Sequence, residues 1–95
     1  MVYFVATIYF DKGNDLKAYH EYIKSVQPIV EKYHGRYLAR SENITALSTD
    51  WKPDRVIVIA FDTREQLDMC FSSQEYQQIA AWRENTVDSK AIIIE

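Results

Sequence analysis

Three strand-like runs constrain this chain more than anything else in it. They are Val2-Tyr3-Phe4-Val5-Ala6-Thr7-Ile8-Tyr9-Phe10, Val56-Ile57-Val58-Ile59-Ala60-Phe61 and Ala91-Ile92-Ile93-Ile94. A sheet with one wet face alternates apolar and polar residues. These runs do not alternate, so both of their faces need cover. The remaining sequence holds helices enough for one face only. The second face is expected to meet another copy of the chain.

The length supports that expectation. Ninety-five residues are read as one domain, residues 1–95. A chain of this size buries roughly 60–65% of its unfolded surface, so a monomer has a thin margin of stability. Eleven Lys and Arg stand against 14 Asp and Glu, for a net charge of -3. That balance argues against a nucleic-acid surface, which needs a basic patch. The lone Cys70 rules out an internal disulfide and fits a reducing, cytoplasmic setting. The first residues lack a basic n-region and a small-residue cleavage site. No apolar run approaches the roughly 18–20 residues that span a bilayer.

The first strand ends at the turn cluster Asp11-Lys12-Gly13-Asn14, and Asn14 or Asp15 is placed to cap a helix. Leu16, Tyr19, Ile23, Val26, Val30 and Tyr33 recur at helical spacing on one face. Pro28 lies inside that pattern and is expected to kink or break the helix near residues 24–27. Gly35 fits the left-handed position that ends a helix. A second strand is expected over Arg36 to Arg40. A turn at Ser41-Glu42-Asn43 follows, then a short return strand or arm at Ile44 to Leu47 and a loop through Pro53. The third strand covers Arg55 to Phe61. Thr63 with Gln66 and Ser72 with Glu75 read as capping boxes, so the second helix breaks at Ser72-Ser73 and restarts. Leu67, Phe71, Tyr76, Ile79 and Trp82 supply its apolar face, and Val87 to Lys90 lead into the last strand.

The order strand, helix, strand, strand, helix, strand gives an α+β fold. It is the ferredoxin-like βαββαβ arrangement, a four-stranded antiparallel sheet with two helices on one face. The first and third strands become central, as their apolar sequences require. Two such sheets meeting at their open faces form a dimeric α+β barrel.

Further residues carry a family resemblance. They are Gly35-Arg36-Tyr37-Leu38-Ala39-Arg40, then Trp51-Lys52-Pro53-Asp54-Arg55 running into Val56-Ile57-Val58-Ile59, then Phe61, Ser73-Gln74-Glu75-Tyr76 and Arg83. In order and spacing they resemble the domain of unknown function 1330 family across essentially the whole chain. The resemblance implies a branch of the dimeric α+β barrel superfamily. That superfamily includes cofactor-independent monooxygenases, muconolactone isomerase-like enzymes and stress-responsive barrels. It implies the fold and leaves the chemistry open. Family members often carry Gly-Gly before the second strand; this chain has His34-Gly35, so nothing functional transfers to His34.

Six residues, His20, Tyr37, Arg40, Trp51, Tyr76 and Arg83, are the candidates for a site, with Tyr3 and Tyr9 weighed beside them. Arg40 and Trp51 are placed to line a cavity mouth, the guanidinium binding a carboxylate or enolate and the indole packing on an apolar substrate. The competing reading pairs Arg40 with Asp50 or Asp54 and makes Trp51 an aromatic plug. His20, beside the inward Tyr19, is a candidate general base, with a partly buried histidine bonded to a backbone carbonyl as the plainer reading. Tyr3, Tyr9, Tyr37 and Tyr76 can place hydroxyls at the ends of an apolar cavity, although such tyrosines more often serve as core or interface aromatics. Arg83 can steer anions, against a pair with Glu84, Asp88 or the partner chain.

Other chemistry has little support. His20 and His34 have no H-x-x-x-H spacing and there is no cysteine pair, so no metal site is expected. Cys70, between Met69 and Phe71, reads as packing. With Gly13 and Gly35 as the only glycines there is no phosphate loop, and no cofactor is implied. The expectation is a small cytoplasmic homodimer that binds or converts a small organic acid or aromatic compound beside its sheet. The alternative is a non-catalytic structural or stress-related dimer.

Overall fold

A computed structural model of the chain describes residues 1–10, 13 and 15–95. Its elements are β1 (Val2–Phe10), α1 (Lys17–Lys32), β2 (Arg36–Ser41), β3 (Arg55–Phe61), α2 (Arg64–Ser72), α3 (Gln74–Glu84) and β4 (Val87–Ile94). The strands form one antiparallel sheet in the order β2-β3-β1-β4. The two strands with the most continuous apolar sequence are therefore central, as a ferredoxin-like α+β fold requires. The expected turn falls on Asp11, Lys12 and Asn14, which lie outside the described residues.

Register assigns each central side chain to a face. Ile8 and Ile59, with Phe61, look toward the helices and are buried. On the other face one apolar row crosses all four strands: Ala39 pairs with Val58, Val58 with Val5, and Val5 with Ile92. Ile92 and Ile94 on that face are largely exposed. Adjacent residues of β3 thus part company, Ile57 packing against the core and Val58 facing the open side.

Helix α1 differs from expectation in two places. It runs unbroken through Pro28, which is exposed and turned away from the buried Tyr19, Tyr22, Val26 and Val30. Packing on both sides of the proline holds the helix across the one missing backbone donor. The left-handed residue after α1 is His34, at φ 69°, rather than Gly35. The His34 amide bonds the Glu31 carbonyl at 3.0 Å and the Gly35 amide bonds that of Val30 at 2.9 Å, the paired bonds of a Schellman end. Gly35 is required for space instead. A Cβ there would sit 2.5 Å from Val30 Cγ1 and 2.9 Å from the Phe61 ring.

The second helix breaks where its caps predict, giving α2 and α3. Thr63 Oγ1 accepts from the Gln66 amide at 3.1 Å. The second cap is one residue later than the sequence suggests: Ser73, not Ser72, accepts from the Tyr76 amide at 3.2 Å. Trp82 is exposed rather than on the packed face. Residues 44–47 form no strand. A bulge between Tyr37 and Ala39 shifts the β2 register, and β4 begins at Val87, opposite Phe10. Among the described residues no helix is long and apolar enough to cross a membrane.

Candidate functional site

Between the sheet and its own helices lies a cavity of about 310 Å³. Its origin is legible in the register. Ala6 of β1 pairs with Ala91 of β4 and with Ile57 of β3, so small side chains form the middle of the floor. The roof is built by long residues on a helical spacing, Tyr19, Tyr22 and Val26 of α1, and by Tyr76 of α3. Small residues below long ones leave the gap. Phe4 and Phe71 stack at 4.6 Å between ring centres and both line it, as do Ile8, Ile59 and Tyr37.

The polar groups of this mostly apolar space gather on one side. The Tyr22 and Tyr76 hydroxyls hydrogen-bond each other at 3.0 Å. Arg83 lies beside them, its guanidinium carbon 6.0 Å from the Tyr22 ring centre. Arg83 Nη1 donates to Ser89 Oγ at 2.6 Å, and Nη2 pairs with Glu84 at 3.6 Å. Arg83 and Ser89 both line the cavity. Burial pushes the Tyr22 hydroxyl far above its ordinary pKa, and the neighbouring Tyr76 adds to the shift. Burial also raises Tyr37, to about 12. For Arg83 burial works against the charge, yet the surrounding Tyr76 and Tyr22 hydroxyls hold its pKa above the usual value. At neutral pH the site therefore offers a cation and, at Tyr22 and Tyr37, neutral hydroxyls.

Three of the six candidate residues come together here: Tyr37, Tyr76 and Arg83. The other three do not line the cavity. His20 is exposed, one residue along the helix from the buried Tyr19. Arg40 lies over the Tyr37 ring at 4.9 Å and donates to Gln27 Oε1 at 2.7 Å, pairing with neither Asp50 nor Asp54. Asp54 instead accepts from the Phe10 amide at 2.7 Å. Trp51 donates from its indole to Tyr9 Oη at 2.7 Å. Tyr9 belongs to the open face of β1, so Trp51 stands on the far side of the sheet from the cavity. Arg83 has its expected Glu84 pair and a cavity position at once.

Tyr19, Tyr22 and Ser89 were missed as site residues. The signal for Tyr22 is its place three residues after Tyr19, on the same helical face. Cys70 is buried, and burial pushes its thiol up to about 11, as packing alone requires. Among the described residues no cluster of His, Cys, Asp and Glu is able to hold a metal ion.

The sequence profile of one family matches residues 1–95, that of the domain of unknown function DUF1330. The chain belongs to this family. No curated protein matches it. Several solved structures are similar. One is a protein of unknown function from Rhodopseudomonas palustris, 16% identical, with a TM-score of 0.81 over 98% of this chain and 79% of that one. A protein from Arabidopsis thaliana is 14% identical, with a TM-score of 0.71 over 99% of this chain and 91% of its own. SnoaB, a cofactor-independent oxygenase from Streptomyces nogalater, is 12% identical, with a TM-score of 0.67 over 99% and 90%. At these identities the likeness shows the fold alone, α+β and ferredoxin-like, as in these neighbours of the dimeric α+β barrel fold.

Proposed function

We propose that residues 1–95 act as one barrel domain whose cavity binds a small, largely apolar organic molecule through an acid group. The carrying observation is Arg83: a partly buried cation, bonded to Ser89 and flanked by the Tyr22–Tyr76 hydroxyl pair, on the wall of an otherwise apolar space. A guanidinium short of water binds a carboxylate or enolate through charge-assisted hydrogen bonds. The aromatic walls suit a flat or aromatic body. Arg83 thus takes the clamp role that the sequence suggested for Arg40.

Binding without turnover is the favoured form of this reading. Among the described residues lining the cavity there is no His, Asp, Glu or Lys to serve as a general base. The unit we propose is a homodimer joined through the open sheet face, where the Ala39-Val58-Val5-Ile92 row awaits a counterpart. Burying a few hundred Å² of such surface contributes several kcal/mol at roughly 25 cal/mol per Å².

The test is a thermal-shift screen of small organic and aromatic acids on wild type, Arg83→Gln and Arg40→Ala. A stabilisation kept by Arg40→Ala and lost by Arg83→Gln is expected. A stabilisation that survives Arg83→Gln, or none at all across a broad set, refutes the reading.

A further inference from the structure

We propose that the cavity takes an acid on a long, unbranched apolar body, its carboxylate at Arg83 and its far end against the Phe4–Phe71 ring pair. This deepens the binding reading above and rests on it. The register gives the space a direction. Ser89, the Arg83 partner, pairs with Ile8, and Ile93 pairs with Phe4, four residues away along β1. Four residues of strand span roughly 13 Å. Between those ends the floor is low, because Ala6 pairs with Ala91 and neither fills the space above it. Tyr76 links the same two ends in the roof. Its hydroxyl belongs to the polar end, bonded to that of Tyr22 at 3.0 Å, and its ring meets Phe71 edge-on at 5.0 Å between centres. The acid end and the aromatic end are thus opposite ends of one trough.

The aromatic end is a thin partition. Phe4 and Phe71 stack at 4.6 Å, and both line the cavity on one side and an open groove on the other. Among the described residues no other is shared by those two spaces. Both rings are only partly buried, unlike that of Phe61. Beyond them the groove offers Leu67 and Ile93, with Asp68, Ser72 and Gln77 beside them. A chain that stops short of the rings is buried methylene by methylene. A longer one has to part the rings or fold back. A body branched beside its carboxylate puts the same carbons against the Tyr22–Tyr76 pair and leaves the trough empty. The ligand class is therefore an unbranched carboxylic acid.

The test titrates butyrate, hexanoate, octanoate, decanoate and dodecanoate calorimetrically, with 2-propylpentanoate, a branched isomer of octanoate, beside them. In wild type each two-carbon step is expected to tighten binding about tenfold, the worth of two buried methylenes, until the chain meets the ring pair, and to add less than about twofold beyond it. Octanoate is expected to bind about tenfold tighter than its branched isomer. Phe71→Leu, which removes the ring stack, is expected to carry the rise at least one step further. No rise with length, a rise that runs unbroken to dodecanoate in wild type, a branched isomer that binds as tightly as octanoate, or a break that Phe71→Leu leaves in place overturns the trough alone. Failure of every acid to bind overturns the cavity reading and this one with it. The isomer pair needs only wild type, so it decides the matter should Phe71→Leu not fold.

Discussion

The two faces of this sheet carry similar side chains and have different fates. On the helix face Ile59 and Phe61 are 3% and 0% exposed; on the other, Ile92 and Ile94 are 60% and 48% exposed. The residue type does not make the difference. Two short helical segments and one long helix cover about one sheet face, and the chain has nothing left for the second. The helix face accordingly carries both tight packing and the cavity, while the open face is a flat, apolar surface. Mutations on the two faces should therefore fail in different ways: on one by unfolding, on the other by dissociation.

The largest effect is expected at Phe61. Truncation to Ala removes a fully buried ring and should cost about 3–5 kcal/mol in chemical denaturation. A loss below about 1 kcal/mol would mean that the helix face is not the stabilising one. Val58→Asp puts a charge at the centre of the open face. It should dissociate the proposed homodimer, read by sedimentation, while far-UV circular dichroism stays that of the fold. If the protein instead unfolds as a monomer, the division between the faces breaks down. Gly35→Ala probes close packing from the helix side. The added methyl meets Val30 and Phe61, and overpacking of this kind costs about 1–3 kcal/mol.

The smallest effect is expected at alkaline pH. Tyr37 titrates near 10 when unfolded and about 12 when folded, because burial disfavours its phenolate. Its contribution is whole below pH 10, and stability falls as the pH rises from about 10 toward 12. Tyr37→Phe should flatten that decline in denaturation curves. Equal slopes for wild type and Tyr37→Phe would place Tyr37 in water rather than in the cavity wall.

The fold was largely legible because it rests on local signals. Unbroken apolar runs marked the central strands, and Thr63 and the serines at 72–73 marked where helices start. The faces were not legible, since Ile57 and Val58 differ only in parity, and parity becomes a direction only when the helices are placed. The site was half legible for related reasons. Tyr37, Tyr76 and Arg83 line the cavity, but Arg40 follows a bulge, which no residue type announced. Trp51 lies in a loop that carries it over Tyr9, a long-range placement. His20 was judged by its neighbour, although consecutive helical residues point about 100° apart. Arg55 opens a strand like any polar edge residue. Only its burial beside Tyr19 sets it apart.

The break at Ser73 has a mechanical consequence for the cavity. Phe71 lies in the last turn of one helix and Tyr76 belongs to the next, so the wall they share is made of two rods joined at one residue. Ser73 sits there in an extended conformation, φ -64° and ψ 151°, capping the second rod with its own side chain. A single rod would have to melt a turn before its ends changed their angle. Here the two rods are tied across the break by Ser73 Oγ donating to the Cys70 carbonyl at 2.7 Å and the Gln77 side-chain amide donating to that of Phe71 at 3.0 Å. The angle between Phe71 and Tyr76 over Ala6 and Ala91 is therefore set by the bonds of that one junction and not by a continuous helical ladder.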